Sequence, residues 1–208
     1  MHCFGSQVHS HGVQHMPHPL AVSLDRVGQT TWRAFDAALV RLQLRGSPCK
    51  ETGGVWITWP PAPGAGASRT TIATLCTVVK DGPDIFFRLW TTLPEPVPSR
   101  FASAVWQAIP EATRYARFGS FLWTDGLVTY QLAIPITSGA VTEAFITPLL
   151  LQSQTLVAAM GAAIRRILAG TAPQAAVEAA FQTVALPPWY DTDPRQSIWA
   201  PRKSTRTH

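Results

Sequence analysis

The chain has 208 residues, 46% hydrophobic and 14% charged, with 17 Lys and Arg against 12 Asp and Glu for a formal charge of +5. That length and apolar content suit one globular domain with room for tails and exclude a wholly disordered chain, since a core of about 150 residues buries roughly 70% of its unfolded surface. The mild basic balance favours acidic partners and falls short of a nucleic-acid signature.

Residues 1–28 read as an irregular leader, in which His2, His9, His11, His15 and His18 sit among Gly, Ser, Gln and Pro. A His-rich tract can hold metal, but a disordered tail is the expectation, and no metal site is assigned. Met16 offers an alternative start. Nothing here has the apolar run of a secretory signal, and no segment reaches the ~20 apolar residues that a bilayer span needs. Cys3, Cys49 and Cys76 are scattered, with no CxxC pair. They support neither a zinc ribbon nor a redox centre and fit reduced thiols in a cytoplasm.

A first helix is expected over Thr31–Leu44, where Trp32, Phe35, Leu39 and Leu42 recur at three- and four-residue steps. Gly46 then supplies a left-handed stop. Three strands follow, at Val55–Trp59, Thr70–Lys80 and Asp84–Leu93. Between the first two lies a Pro/Gly/Ala loop; its Gly64 and Gly66 lack the Lys-Ser/Thr of a phosphate-gripping loop. Asp81 and Gly82 make the hairpin turn between the second and third. In the third strand Ile85, Phe87, Leu89 and Leu93 take the core face, while Phe86, Arg88, Trp90 and Thr92 take a mixed, partly covered one.

After a Pro-rich break, Ser99 is expected to cap a second helix with Phe101, Val105 and Ile109 as its stripe and Pro110 as its end. A second hairpin follows: strand Ala116–Trp123, a turn at Thr124–Gly126, and strand Leu127–Ile136. On the last strand Val128, Tyr130, Leu132 and Ile134 share one face, with Thr129, Gln131 and Ala133 on a wetter one. A long apolar helix begins near Thr142 and ends at Gly170; Pro148 either kinks it or restarts it with Thr147 as cap. The small residues Ala158, Gly161 and Ala162 permit close approach of another helix, from this chain or a second copy. A short helix over Pro173–Gln182 turns Val177 and Phe181 inward. The Pro-rich tail, 185–208, carries Trp189, Tyr190 and Trp199, which either dock on the domain or form a partner-binding or swapped arm.

The expected fold class is therefore α+β: α-β-β-β-α-β-β-α, a five-stranded, mainly antiparallel sheet with helices packed on one face. This order, with Gly119, Phe121, Asp125, Gly126, Tyr130 and Gly170 in place, resembles the YbjN-like family, which shares its fold with type III secretion chaperones. The resemblance covers residues 29–170, as a pattern of residue types rather than an invariant signature. Ser120 stands where Asn is common, Trp123 replaces a small or acidic residue, and the turn carries one Asp. The resemblance implies a dimer-prone protein that binds segments of other proteins, and it carries over no catalytic residue.

The sequence contains no His-Glu-x-x-His, Gly-x-Ser-x-Gly, Walker or dinucleotide motif. Beyond the leader the only histidine is His208, so histidine acid–base catalysis has no basis. The expectation is a cytoplasmic, non-enzymatic, cofactor-free adaptor or chaperone-like homodimer that binds a segment of a partner protein. Phe86, Arg88, Trp90, Thr129 and Gln131 are its candidate contacts, and an acidic or disordered tail of a DNA-handling protein is one candidate target. Aromatic residues beside basic ones, as at residues 86–90, support an alternative, direct binding of single-stranded nucleic acid.

Overall fold

The computed structural model describes residues 26–60, 71–82, 84–93, 96–116, 118–136, 141–182 and 184. Six strands form one sheet: β1 (Gly46–Cys49), β2 (Gly54–Thr58), β3 (Ala73–Asp81), β4 (Asp84–Thr92), β5 (Ser120–Thr124) and β6 (Leu127–Pro135), in the order β1-β2-β3-β4-β6-β5. Every neighbouring pair is antiparallel. Four α-helices, α1 (Arg26–Arg41), α2 (Ala102–Tyr115), α3 (Glu143–Leu168) and α4 (Pro173–Phe181), pack on one side of it. The α+β class and the one-sided helix layer hold; the strand number rises from five to six. The added strand, β1, escapes sequence reading because it is four residues long and contains Pro48, which demotes a strand pattern. It is an edge strand, where proline is tolerated.

Burial in β4 alternates residue by residue. Ile85, Phe87, Leu89 and Thr91 are buried, while Phe86, Arg88, Trp90 and Thr92 are half-buried. Strand β6 matches it with Val128, Tyr130, Leu132 and Ile134 on the helix side. From there the core continues through Trp32, Phe35 and Leu39 of α1 and Ile146, Leu150, Leu156 and Met160 of α3. The Phe35 ring lies 6.1 Å from that of Phe87, which joins α1 to the centre of the sheet. Because β6 inserts between β4 and β5, the connection through α2 is a split β-α-β unit.

Several helix ends differ from expectation. Helix α1 starts at Arg26, so residues 26–28 belong to the domain; the remainder of the His-rich leader lies outside the described residues, as does the tail beyond Val184. It ends at Arg41, and the left-handed stop is Gln43 rather than Gly46. Gln43 takes φ 55°, and the Leu44 and Gln43 amides donate to the Leu39 and Val40 carbonyls, a Schellman closure. Gly170 closes α3 in the same way, with φ 95° and Thr171 donating to the Arg166 carbonyl. Ser99 opens a 3₁₀ turn (Ser99–Phe101) and makes no side-chain cap. Pro110 does not end α2, which runs on to Tyr115 because Ala112 is buried beyond it. The proline costs one helical bond, and both Pro110 and Trp106, whose carbonyl loses its donor, are exposed. Pro148 lies within an unbroken α3 whose N-cap is Thr142, so no restart at Thr147 occurs.

Helix α3 has the length and apolar composition of a membrane span, contrary to the sequence reading. Over half of its most apolar window is nevertheless buried inside the domain, so packing in the core accounts for its composition.

Candidate partner-binding face

The helices cover one face of the sheet, and among the described residues no helix or strand covers the other. Strand pleating decides which side chains reach it. The registers align Ser47, Trp56, Leu75, Trp90, Gln131 and Ser120 as one row across all six strands. A second row, one pleat away, holds Thr58, Ala73, Thr92, Thr129 and Leu122. Trp56 and Leu122 are each 39% exposed, and Leu75, Val79, Phe86 and Trp90 are half-buried. An uncovered sheet face would ordinarily be polar; this one carries an apolar, aromatic stripe with a polar fringe.

All five contact candidates from the sequence lie on this face. Phe86, Arg88, Trp90 and Gln131 also meet around one depression of about 250 Å³, closed at its far side by Gly119 and Ser120. Thr129 stands apart from the depression, its hydroxyl 3.0 Å from that of its cross-strand partner Thr92. The volume falls below the ~300–1,000 Å³ typical of small-molecule sites. It suits one inserted side chain rather than a whole ligand.

Arg88 is the one ionisable side chain lining the depression. Its guanidinium carbon lies 5.4 Å from the Phe86 ring centroid, and Nη2 lies 3.7 Å from Asp81 Oδ2. Stacking and ion pairing hold the planar group along the sheet surface with donors to spare. Gly119 shapes the rim. With φ 79° it takes a conformation that glycine adopts freely, and a Cβ there would sit 2.3 Å from the Gln131 carbonyl oxygen. The Tyr130 hydroxyl donates to the Phe118 carbonyl and ties the same turn to β6.

Sequence reading missed Trp56, Leu75 and Ser120. The alternation Val55-in, Trp56-out was present in the sequence, but only the sheet order puts Trp56 in line with Trp90. The small residues Ala158, Gly161 and Ala162 all lie within α3, at helical spacing. Gly161 is buried within its own chain, where an added Cβ would meet Leu93 Cδ2 at 3.1 Å. Ala162 is half-buried against the core and Ala158 is exposed.

Among the described residues no three His, Cys, Asp or Glu side chains cluster as metal ligands. The Cys49 thiol donates to Glu51 Oε2 at 3.2 Å. Cys76 is buried in the core, and desolvation pushes its thiol pKa well above the ordinary value. The face can therefore offer stacking, apolar contact and hydrogen bonds from Arg88, Gln131 and Ser120. No protein-family model matches the chain, and no curated protein matches it.

Proposed function

We propose that this protein is a cytoplasmic, non-enzymatic, chaperone-like or adaptor homodimer of YbjN-like type, which holds a segment of a partner protein against the open face of its sheet. The observation that carries this reading is the row Trp56–Leu75–Trp90–Gln131, an aromatic stripe on the side that no helix covers. An extended or helical segment gains affinity there by laying apolar side chains across the row. Trp90 and the neighbouring depression form the anchor, and Arg88 selects for an acidic side chain beside it. Aromatic and Arg side chains are the types that dominate binding energy at protein interfaces. The acidic or disordered tail of a DNA-handling protein is one target class that fits this chemistry.

Affinity capture with the full chain, beside a Trp90→Ala control, tests the proposal. The expected result is a protein recovered by the first and lost from the second. A protein recovered equally by both removes the face from the reading.

Arg88 between Phe86 and Trp90 on an open sheet favours a second reading, since exposed sheet aromatics stack single-stranded bases. Charge decides against it as the first choice. Affinity for a phosphate backbone comes from several cations, whereas the depression offers Arg88 alone, already 3.7 Å from Asp81. Gel shifts across a salt series separate the two readings, because phosphate contacts weaken steeply with salt and apolar ones do not.

A further inference from the structure

We infer that the chain's own C-terminal segment, residues 185–199, occupies the open sheet face and competes there with partner segments. The inference rests on the reading of that face as a binding surface and adds its regulation.

The place where the segment leaves the domain is the first support. Helix α4 ends at Phe181, whose ring lies 6.2 Å from that of Phe121, perpendicular to it, and 5.0 Å from that of Tyr115. Phe121 belongs to β5, the edge strand next to β6. Val184 then closes a turn by donating to the Phe181 carbonyl. The chain thus leaves the helix layer at the sheet edge, where one step round β5 reaches the other face.

Length is the second. From Ser120 the row crosses two strand spacings to Trp90, about 10 Å, and four to Trp56, about 19 Å. Five extended residues reach about 17 Å and fifteen about 50 Å. Trp189 can therefore arrive at Trp90, and Trp199 at Trp56, with slack for turning the edge.

Chemistry is the third. Residues 186–194 contain Pro187, Pro188 and Pro194, the aromatic pair Trp189 and Tyr190, two acids, Asp191 and Asp193, and no base. Proline-rich segments favour an extended polyproline conformation and dock on aromatic-lined surfaces at low entropic cost. Here the aromatic pair meets Trp90 and the depression, and the carboxylates that follow meet Arg88, one pleat along β4. Docking also removes from water two indoles that a free tail would expose.

The consequence is competition. A face closed nine-tenths of the time binds a partner segment about tenfold more weakly than an open one. Opening the segment raises affinity without any change at the face itself.

The full chain labelled with 5-fluorotryptophan provides the test, with Cys3→Ser and Thr192→Cys carrying a nitroxide at 192. Cys49 and Cys76 are buried and remain unlabelled. The expected result is broadening of the Trp90 and Trp56 fluorine signals and a sharp signal from Trp32, on the helix side. Trp189→Ala is expected to move the Trp90 signal and to strengthen binding of a captured partner segment about tenfold. Sharp Trp90 and Trp56 signals beside the label overturn the inference. So does broadening that appears equally when spin-labelled, unfluorinated chains are mixed with fluorinated, unlabelled ones, because the arm then belongs to a second copy. Sharp signals with a partner still bound at Trp90 remove the docked tail and leave the proposed function; broadening with no partner that competes for Trp90 does the reverse.

Discussion

Trp59 Nε1 donates a 2.8 Å hydrogen bond to Thr74 Oγ1, deep in the core. Thr74 Oγ1 in turn lies 2.9 Å from the hydroxyl of Thr91, its register partner on β4. Thr74 Oγ1 accepts the indole proton, and either hydroxyl can donate in the bond that Thr74 shares with Thr91. This chain pins the end of β2 to the middle of the sheet. Thr74→Val keeps the shape and strands a buried indole N–H, which costs about 1–3 kcal/mol. Urea unfolding monitored by circular dichroism should show that loss, and it should shrink in a Trp59→Phe background, which has no N–H to strand. An equal loss in both backgrounds would mean that the bond contributes nothing.

The two faces of β4 should respond differently to truncation. Phe87→Ala opens a cavity in the core and is expected to cost about 3–5 kcal/mol. Trp90→Ala removes a half-buried side chain and should cost clearly less while abolishing partner capture. Comparing the two urea midpoints, with capture measured alongside, checks the assignment. A Trp90→Ala chain as unstable as Phe87→Ala would make Trp90 a core residue.

Gly119 and Gly82 make a matched pair. Both have positive φ, 79° and 59°, but an added Cβ at Gly119 would meet the Gln131 carbonyl at 2.3 Å, and at Gly82 it would meet nothing within 4 Å. Gly82→Ala should cost only the left-handed penalty, about 1–2 kcal/mol. Gly119→Ala adds a backbone clash and should cost more, with disturbance of the depression it borders. Melting temperatures of the two variants provide the comparison, at about 2–4 °C per kcal/mol for a domain of this size.

Cys76 gives a pH dependence of known sign. Burial raises its folded pKa above the unfolded value, so the native state retains the thiol proton after the unfolded chain has lost it. The associated stability is complete below the ordinary thiol pKa and is lost as pH rises from there toward the folded pKa. The slope is about 1.4 kcal/mol per pH unit once the unfolded thiol has ionised. Urea midpoints measured from about pH 8 upward should fall, and a Cys76→Val chain should fall less by that amount.

The fold was legible where one side of an element is greasy and the other wet. The β4 alternation and the α1 stripe of Trp32, Phe35 and Leu39 appear in the structure as the sequence implies. So does the Asp125-Gly126 turn, with positive φ at both residues, which a tight hairpin requires. Punctuation was less reliable. Pro110 reads as a helix end and Pro148 as a kink or a restart, yet tertiary burial on both sides carries α2 and α3 through them without a break. The candidate face was half legible. Alternation placed Phe86, Arg88 and Trp90 together, but the row that joins Trp90 to Trp56 depends on a strand order set by long-range pairing.

The two ends of the sheet are unlike. Strand β1 has four residues, one of them Pro48 with no N–H to give, whereas β5 runs Ser-Phe-Leu-Trp-Thr with neither proline nor charge. Growth of a filament needs two competent edges, and a two-fold pair needs one. With β1 blunted, any edge-to-edge association through β5 would close after two copies and stay finite.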